Sequence, residues 1–162
     1  DMISQKPKIC LALDNIRSTH NVGSIFRTAD AIGVNKIYLC GVTPSPIDRF
    51  GRERKDIAKV ALGAEKNIEW ENCDDIISLI KKMKKLGYKV IALEQDRNSI
   101  NYKKIKVDND AFIILGEETK GIKRVILDLC DHIVEIPMKG NKESLNVSVA
   151  TGVLLYTLFD TI

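Results

Sequence analysis

Three separated stretches of this chain combine polar side chains with glycines in patterns that could serve chemistry. The first runs from Asn15 to Arg27 (Asn-Ile-Arg-Ser-Thr-His-Asn-Val-Gly-Ser-Ile-Phe-Arg) and joins an apolar run to a helix-like one. Asn15, Arg17, His20 and Asn21 therefore fall just past the C-terminal end of a strand, where open α/β sheets place their ligands. Arg27 stands beside Ile25 and Phe26; a guanidinium so close to an apolar stripe either snorkels past it or is held for a purpose. The second stretch, Leu115-Gly-Glu-Glu-Thr-Lys-Gly-Ile122, has glycines at 116 and 121 bracketing a polar turn, which suits close approach of a ligand to backbone. It is no P-loop, because Gly121 is followed by Ile122-Lys123 and the paired carboxylates Glu117 and Glu118 would repel a triphosphate. The Gly-x-Gly-x-x-Gly signature of dinucleotide folds is also missing. The third stretch, Glu135 to Ala150, carries a strand into a Pro/Gly loop, with Ser144 placed to cap the terminal helix. Leu115, Ile136, Met138 and Leu145 could form an apolar slot for a flat adenine, or could simply close the core.

The elements that would position these stretches alternate between short β-rich runs and helical ones, which predicts an α/β domain with a mostly parallel sheet and helices on both faces. Strands are expected at Ile9–Leu13, Lys36–Cys40, Lys89–Leu93, Ala111–Leu115 and His132–Ile136. A first helix begins near Asn21 as N-cap, repeats Val22, Ile25, Phe26, Ala29 and Ile32 on one face, and stops at Gly33. A second runs from about Asp74 to Leu86, with Lys81, Lys82, Lys84 and Lys85 read as its solvated face. The terminal helix, Leu145 to Phe159, is apolar almost all round, so it must be buried on more than one side. One face can pack on the sheet; a second copy of the chain would cover the other, and small residues at Ser148, Ala150, Thr151 and Gly152 would admit it. A homodimer is the expectation.

Between Thr43 and Lys59 lie two prolines, one glycine and five basic residues (Arg49, Arg52, Arg54, Lys55, Lys59) against three acidic ones. A polar connection of this length inside a compact domain tends to be functional, and phosphates are the natural partners of its arginines. The whole chain of 162 residues has a net charge of +3, which permits an RNA partner without demanding one. Four dispersed cysteines and two histidines show no metal-ligand spacing and read as reduced thiols, placing the protein in a cytoplasm. No apolar run reaches the ~20 residues that span a bilayer, and the first residues show no signal-peptide pattern.

Taken together and in order, the three stretches resemble the SpoU (TrmH-like) branch of the SPOUT RNA methyltransferases. Asn21-Val-Gly-Ser-Ile-Phe-Arg27 is similar to the family's Asn-x-Gly-x-x-x-Arg motif, and Leu115–Gly121 to its Leu-Gly-Asn-Glu-x-x-Gly motif. Ile136–Gly140 with Ser144–Ala150 is similar to Ile-Pro-Met-x-Gly followed by Ser-Leu-Asn-Val-Ser-Val-Ala. Glu117 departs from the family's usual Asn, and Thr119 from its frequent Gly. The resemblance covers residues 1–162 as one methyltransferase domain whose C-terminal part is threaded into a deep trefoil knot. It implies S-adenosylmethionine as cofactor, bound by Leu115, Gly116, Ile136, Met138, Ser144 and Leu145, with no metal. It implies that Arg27 activates a ribose 2'-hydroxyl of tRNA or rRNA, with Asn21, Glu118, Ser144 and Asn146 positioning the groups. Arg17, His20, Arg49, Arg52, Arg54 and Lys55 are the candidate RNA contacts. The shortness of the chain, without an added N-terminal RNA-binding domain, favours tRNA.

Three alternatives stand beside this reading. A catalytically silent RNA-binding module on the same fold would keep the basic loop but could lose Arg27, Glu118 or Asn146. A base methyltransferase of a related knotted family would carry a different loop and a catalytic aspartate. A small-molecule nucleotide enzyme would need the phosphate motifs that are missing.

Overall fold

A computed structural model describes residues 6–160. The elements, in chain order, are β1 (Ile9–Asp14), α1 (Thr19–Ile32), β2 (Lys36–Cys40), α2 (Lys55–Ala61), α3 (Ala64–Asn67), β3 (Glu69–Cys73) and α4 (Ile76–Lys85). They continue with β4 (Lys89–Leu93), β5 (Ile100–Asn101), a 3-10 turn at Tyr102–Lys104, β6 (Ala111–Gly116), α5 (Arg124–Leu127), β7 (His132–Glu135) and α6 (Val147–Phe159). The strands form one seven-stranded sheet in the order β3-β2-β1-β6-β4-β7-β5, and each pairing is parallel.

Alternation along the central strands decides where the helices go, because successive side chains of a strand point to opposite faces. Leu11, Leu13, Ile37, Leu39, Ile113 and Leu115 point to one face, where they pack with Val22, Ile25 and Phe26 of α1, Ile57 of α2 and Leu154 and Leu155 of α6. Cys10, Ala12, Tyr38, Phe112 and Ile114 point to the other, against Leu79, Ile80 and Met83 of α4 and Ile126 of α5. The sheet is thus covered on both sides, which is why its inner strands are continuous apolar runs. Phe26 and Phe112 are fully buried, one in each layer; truncating either to Ala removes about 3–5 kcal/mol of stability.

Two helix starts differ from expectation. The cap of α1 is Ser18, whose Oγ accepts from the Asn21 N–H at 3.1 Å, so Asn21 lies inside the first turn with its side chain free for other use. The cap of α6 is Asn146, not Ser144: its Oδ1 accepts from the N–H groups of Ser148 at 2.9 Å and Val149 at 3.4 Å. The Thr43–Lys59 connection ends in structure, since α2 already begins at Lys55. Strands β3 and β5, absent from the sequence reading, form the two edges; β3 is Glu-Trp-Glu-Asn-Cys and mostly solvent-facing, held in part by Lys36 Nζ between Glu69 (3.5 Å) and Glu71 (2.9 Å).

Gly23 explains the glycine of the first motif. A Cβ there would meet the Ile57 carbonyl oxygen at 2.8 Å and Val60 Cβ at 2.9 Å, so α1 and α2 pack closer than any side chain permits. This contact joins the polar start of α1 to the basic loop leading into α2.

Candidate functional site

The cleft of interest opens at the C-terminal ends of β4, β6 and β7. Leu93, Leu115, Ile136, Met138, Leu145 and Val147 give it apolar walls, and Glu94, Gln95, Glu117, Glu118 and Glu135 give it a carboxylate-rich rim. All six residues expected to hold a cofactor (Leu115, Gly116, Ile136, Met138, Ser144 and Leu145) line this one cleft. An apolar slot with a few polar groups at its mouth suits a flat heteroaromatic ring, and the surrounding carboxylates suit a ligand carrying positive charge.

The loops forming the cleft are tied down by groups beyond β4. Gln95 Nε2 donates to the Glu143 carbonyl at 2.7 Å, and Glu94 Oε2 accepts from the Ile122 N–H at 2.8 Å. Gly121 sits at φ 66° against this carboxylate; a Cβ there would lie 2.5 Å from Glu94 Oε2. The next turn is held by an ion pair of Arg124 with Asp96, which keeps the Asp96 carboxyl below its ordinary range. Sequence reasoning missed Glu94 and Gln95, although they stand just past a strand end as the recognised motifs do.

The three motif segments meet through a hydrogen-bonded chain of side chains. Asn146 Nδ2 donates to Asn21 Oδ1 at 3.2 Å, and Asn21 Nδ2 donates to Glu118 Oε1 at 3.2 Å. Glu118 Oε1 also accepts from the Val147 N–H at 3.3 Å, placing a carboxylate at the N-terminus of α6, where the helix dipole favours it. Asn21 is buried, so its amide relies on these partners. Residues 125 positions apart are thereby fixed to one another. Arg27 is different: it is exposed on α1 and does not line the cleft of its own chain. Ser144 lines the cleft without joining the chain of hydrogen bonds among the described residues.

The two departures from the family motif compensate each other. Thr119 Oγ1 donates to Glu117 Oε1 at 3.0 Å, and Glu117 Oε2 lies 4.0 Å from Arg17 Nε. The added carboxylate is thus turned toward a local hydroxyl and an exposed guanidinium. Behind it, Asp14 ends β1 in a buried position, and burial raises its carboxyl above the usual range, with Lys123 opposing and Glu117 adding.

The remaining basic candidates fall into two groups, Arg17 and His20 near the cleft rim and the loop residues Arg49, Arg52, Arg54 and Lys55 apart from it. His20 and Arg17 are exposed at the start of α1. Ile47 and Glu53 form an antiparallel bridge that turns the connection back on itself, with Asp48, Arg49, Phe50, Gly51 and Arg52 at its tip. Arg49, Arg52 and Lys55 are exposed, and Arg54 is half-buried. Among the described residues no helix is long and apolar enough to cross a membrane.

The sequence model of the SpoU rRNA methylase family matches residues 8–156. A Staphylococcus haemolyticus protein named for the TrmH family of tRNA/rRNA methyltransferases is 34% identical over 160 residues, covering 96% of this chain and 61% of its own length. The chain thus spans about three fifths of that curated relative. Among solved structures, the TrmH/SpoU tRNA modifying enzyme of A. aeolicus superimposes with a TM-score of 0.82 at 27% identity, over 94% of this chain and 74% of that one. An AdoMet-bound rRNA methyltransferase from Sinorhizobium meliloti gives 0.84 at 27% identity, over 94% and 56%. The motifs that meet at the cleft, the parallel sheet beneath it and these likenesses agree: the chain belongs to the SpoU rRNA methylase family.

Proposed function

We propose that this chain is a cytoplasmic RNA 2'-O-ribose methyltransferase that uses S-adenosylmethionine and acts on tRNA or rRNA. One observation carries the reading: six residues from two distant motifs line a single apolar cleft, and a third motif is hydrogen-bonded to its wall. The AdoMet-bound relative and the naming of the TrmH-family relative for tRNA/rRNA support it. The deep trefoil knot belongs to the same reading. Strand β6 lies between β1 and β4, β7 lies beyond β4, and α6 returns to pack on α1, an arrangement compatible with threading of the segment from Gly116 to Val147.

S-adenosylmethionine, when bound, supplies an electrophilic methyl group on a sulfonium. The residues present fit it: Leu115, Ile136, Met138 and Leu145 can sandwich an adenine, while Glu94 and Glu135 offset the cationic charge. The protein's task is to hold a ribose hydroxyl in line and to assist loss of its proton. Arg27 is assigned to orient and activate that hydroxyl; a guanidinium holds its proton too tightly to be a good base, so it acts through hydrogen bonding and charge, aided by a substrate phosphate. Asn21, Glu118 and Asn146 spend their polar atoms on one another and on α6, so they act as positioning residues. Ser144 at the cleft mouth steadies the substrate side.

The position of Arg27 bears on assembly. It is exposed beside α6, whose outer side leaves Val149 52% and Tyr156 46% exposed. A twofold homodimer through this face would cover the apolar strip and bring Arg27 of one chain to the cleft of the other. Calorimetric titration tests the cofactor directly: S-adenosylmethionine or S-adenosylhomocysteine should bind the folded protein without added metal, and no binding at millimolar ligand would refute the proposal. Mixing Arg27→Ala chains with chains altered at Leu145 should restore activity if the site is shared.

A further inference from the structure

We propose that Phe50, at the tip of the loop between β2 and α2, is a stacking platform for an unpaired RNA base, and that this loop thereby reads single-stranded rather than duplex RNA. The inference rests on the RNA-methylation reading above and extends it from phosphate contact to base recognition.

Phe50 is 66% exposed, the most exposed of the large apolar side chains among the described residues. Burying it would release free energy, yet the backbone holds it out. Asp48 Oδ1 accepts from the N–H groups of Phe50 at 2.8 Å and Arg52 at 3.0 Å. The Asp48 N–H in turn donates to the Arg52 carbonyl at 2.8 Å, and the Gly51 N–H to the Asp48 carbonyl at 3.0 Å. The Arg52 and Phe50 amide donors, with the nearby Arg52 guanidinium, hold the Asp48 carboxyl below its ordinary range. An aromatic ring projected by such a closed turn is pre-organised for contact.

Its neighbours are the groups that a nucleotide needs. The Arg49 guanidinium lies 4.8 Å from the ring centroid and that of Arg52 lies 5.0 Å away. Arg52 is pinned, because its Nε also bonds Asp48 Oδ2 at 3.2 Å. Arg49 has only the ring as partner among the described residues. A base can therefore take the place of Arg49 against the ring, or stack on its guanidinium plane, while the displaced cation reaches the adjoining phosphate. A second hollow at the loop, bordered by Thr43, Ser45, Arg49, Phe50 and Arg52, also takes in Arg54, whose Nε is buried with no hydrogen-bond acceptor. In a duplex the bases are stacked on each other and offer no free face, so only unpaired nucleotides fit.

The test is fluorescence anisotropy of the full chain with three labelled RNAs of equal length: single-stranded oligoadenylate, the same strand with abasic residues, and a duplex. Phe50→Ala should weaken oligoadenylate binding by about tenfold to a hundredfold. It should leave the slope of log K against log salt unchanged, because no cation is removed. Phe50→Trp should restore affinity, and its added indole emission should be quenched by oligoadenylate and not by the abasic strand. Abasic and duplex RNA should bind wild type and Phe50→Ala alike. Equal affinity of wild type and Phe50→Ala for oligoadenylate would overturn the proposal, as would an equal weakening on the abasic strand. If wild type binds none of the three yet methylates RNA, the stacking role falls and the function stands. If it neither binds nor methylates RNA, both fall.

Discussion

At the carboxyl ends of β4, β6 and β7 the motif side chains are spent on one another, whereas at the tip of the β2–α2 loop the aromatic and cationic groups face solvent. Asn21, Glu118 and Asn146 join three segments that sequence separates, and Glu117 is taken up by Thr119 and Arg17. At the tip, Phe50 stands out between two guanidiniums, and only Asp48 and Arg52 are committed to local bonds. Motif residues with satisfied polar atoms build the shape of a site, and the groups left unsatisfied are the ones available to a ligand. By that criterion Arg27 belongs with the loop tip, not with the motif residues that surround it in sequence.

The largest expected effect is on Arg27. Arg27→Ala should lower methyl transfer by about a hundredfold or more, with stability changed by less than about 0.5 kcal/mol because the side chain is exposed. Cofactor affinity measured by titration should be unchanged, and Arg27→Lys should also fail, since an ammonium lacks the planar fork. Activity near the wild-type rate in either variant would place Arg27 among the surface residues.

Glu118→Ala should act in the opposite manner, through structure first. It removes the acceptor of both Asn21 Nδ2 and the Val147 N–H and leaves a buried amide unpaired, at a cost of about 1–3 kcal/mol. A thermal melt should show the destabilisation, and cofactor affinity should fall with it because Val147 lines the cleft. An unchanged melting temperature would mean that the network does not tie the motifs together.

Neutralising Arg49 and Arg52 together should reduce the slope of log K against log salt by about 0.7 for each single-strand phosphate that is no longer neutralised. The melting temperature should barely move. An unchanged slope would return the loop to an ordinary solvated surface.

The smallest expected effect concerns Asp14. Burial raises its carboxyl pKa, with Lys123 opposing and Glu117 adding. The folded chain therefore keeps this proton at a pH where the unfolded chain has lost it. Stability should fall as pH rises from below the ordinary carboxylate range through the raised value, and stay reduced above it. Asp14→Asn should remove that fall and stabilise the protein near neutrality, read as a flatter melting temperature across the acidic range.

Much of the fold and part of the site are legible in sequence, for identifiable reasons. Of the five strands that apolar runs predict, β1, β2, β4 and β6 are buried almost throughout and β7 is half-buried around Val134, while β3, with its Glu-Trp-Glu-Asn-Cys edge, and the two-residue β5 carry no such signal. The helix caps differ from their predicted places by a few residues because Ser18 and Asn21, like Ser144 and Asn146, are both good N-cap types. Only the tertiary partner decides which is used: Asn21 is taken by Glu118, leaving the cap to Ser18. The cofactor candidates fall together in one cleft because each stands at or just past a strand end or in the final loop. Periodicity does not show that Arg27 lies outside that cleft, because helical spacing gives a face and not the neighbour of that face. Phe50 is hidden by its surroundings, a single aromatic in a segment that reads as basic and polar.

The central claim is the position of the transferred methyl group. RNA incubated with this protein and methyl-labelled S-adenosylmethionine, then digested to nucleosides and resolved by mass spectrometry, reports it directly. Label should be found on ribose as 2'-O-methyl nucleosides and should vanish with Arg27→Ala. Label on a base, or no label in the presence of bound cofactor, would contradict the account.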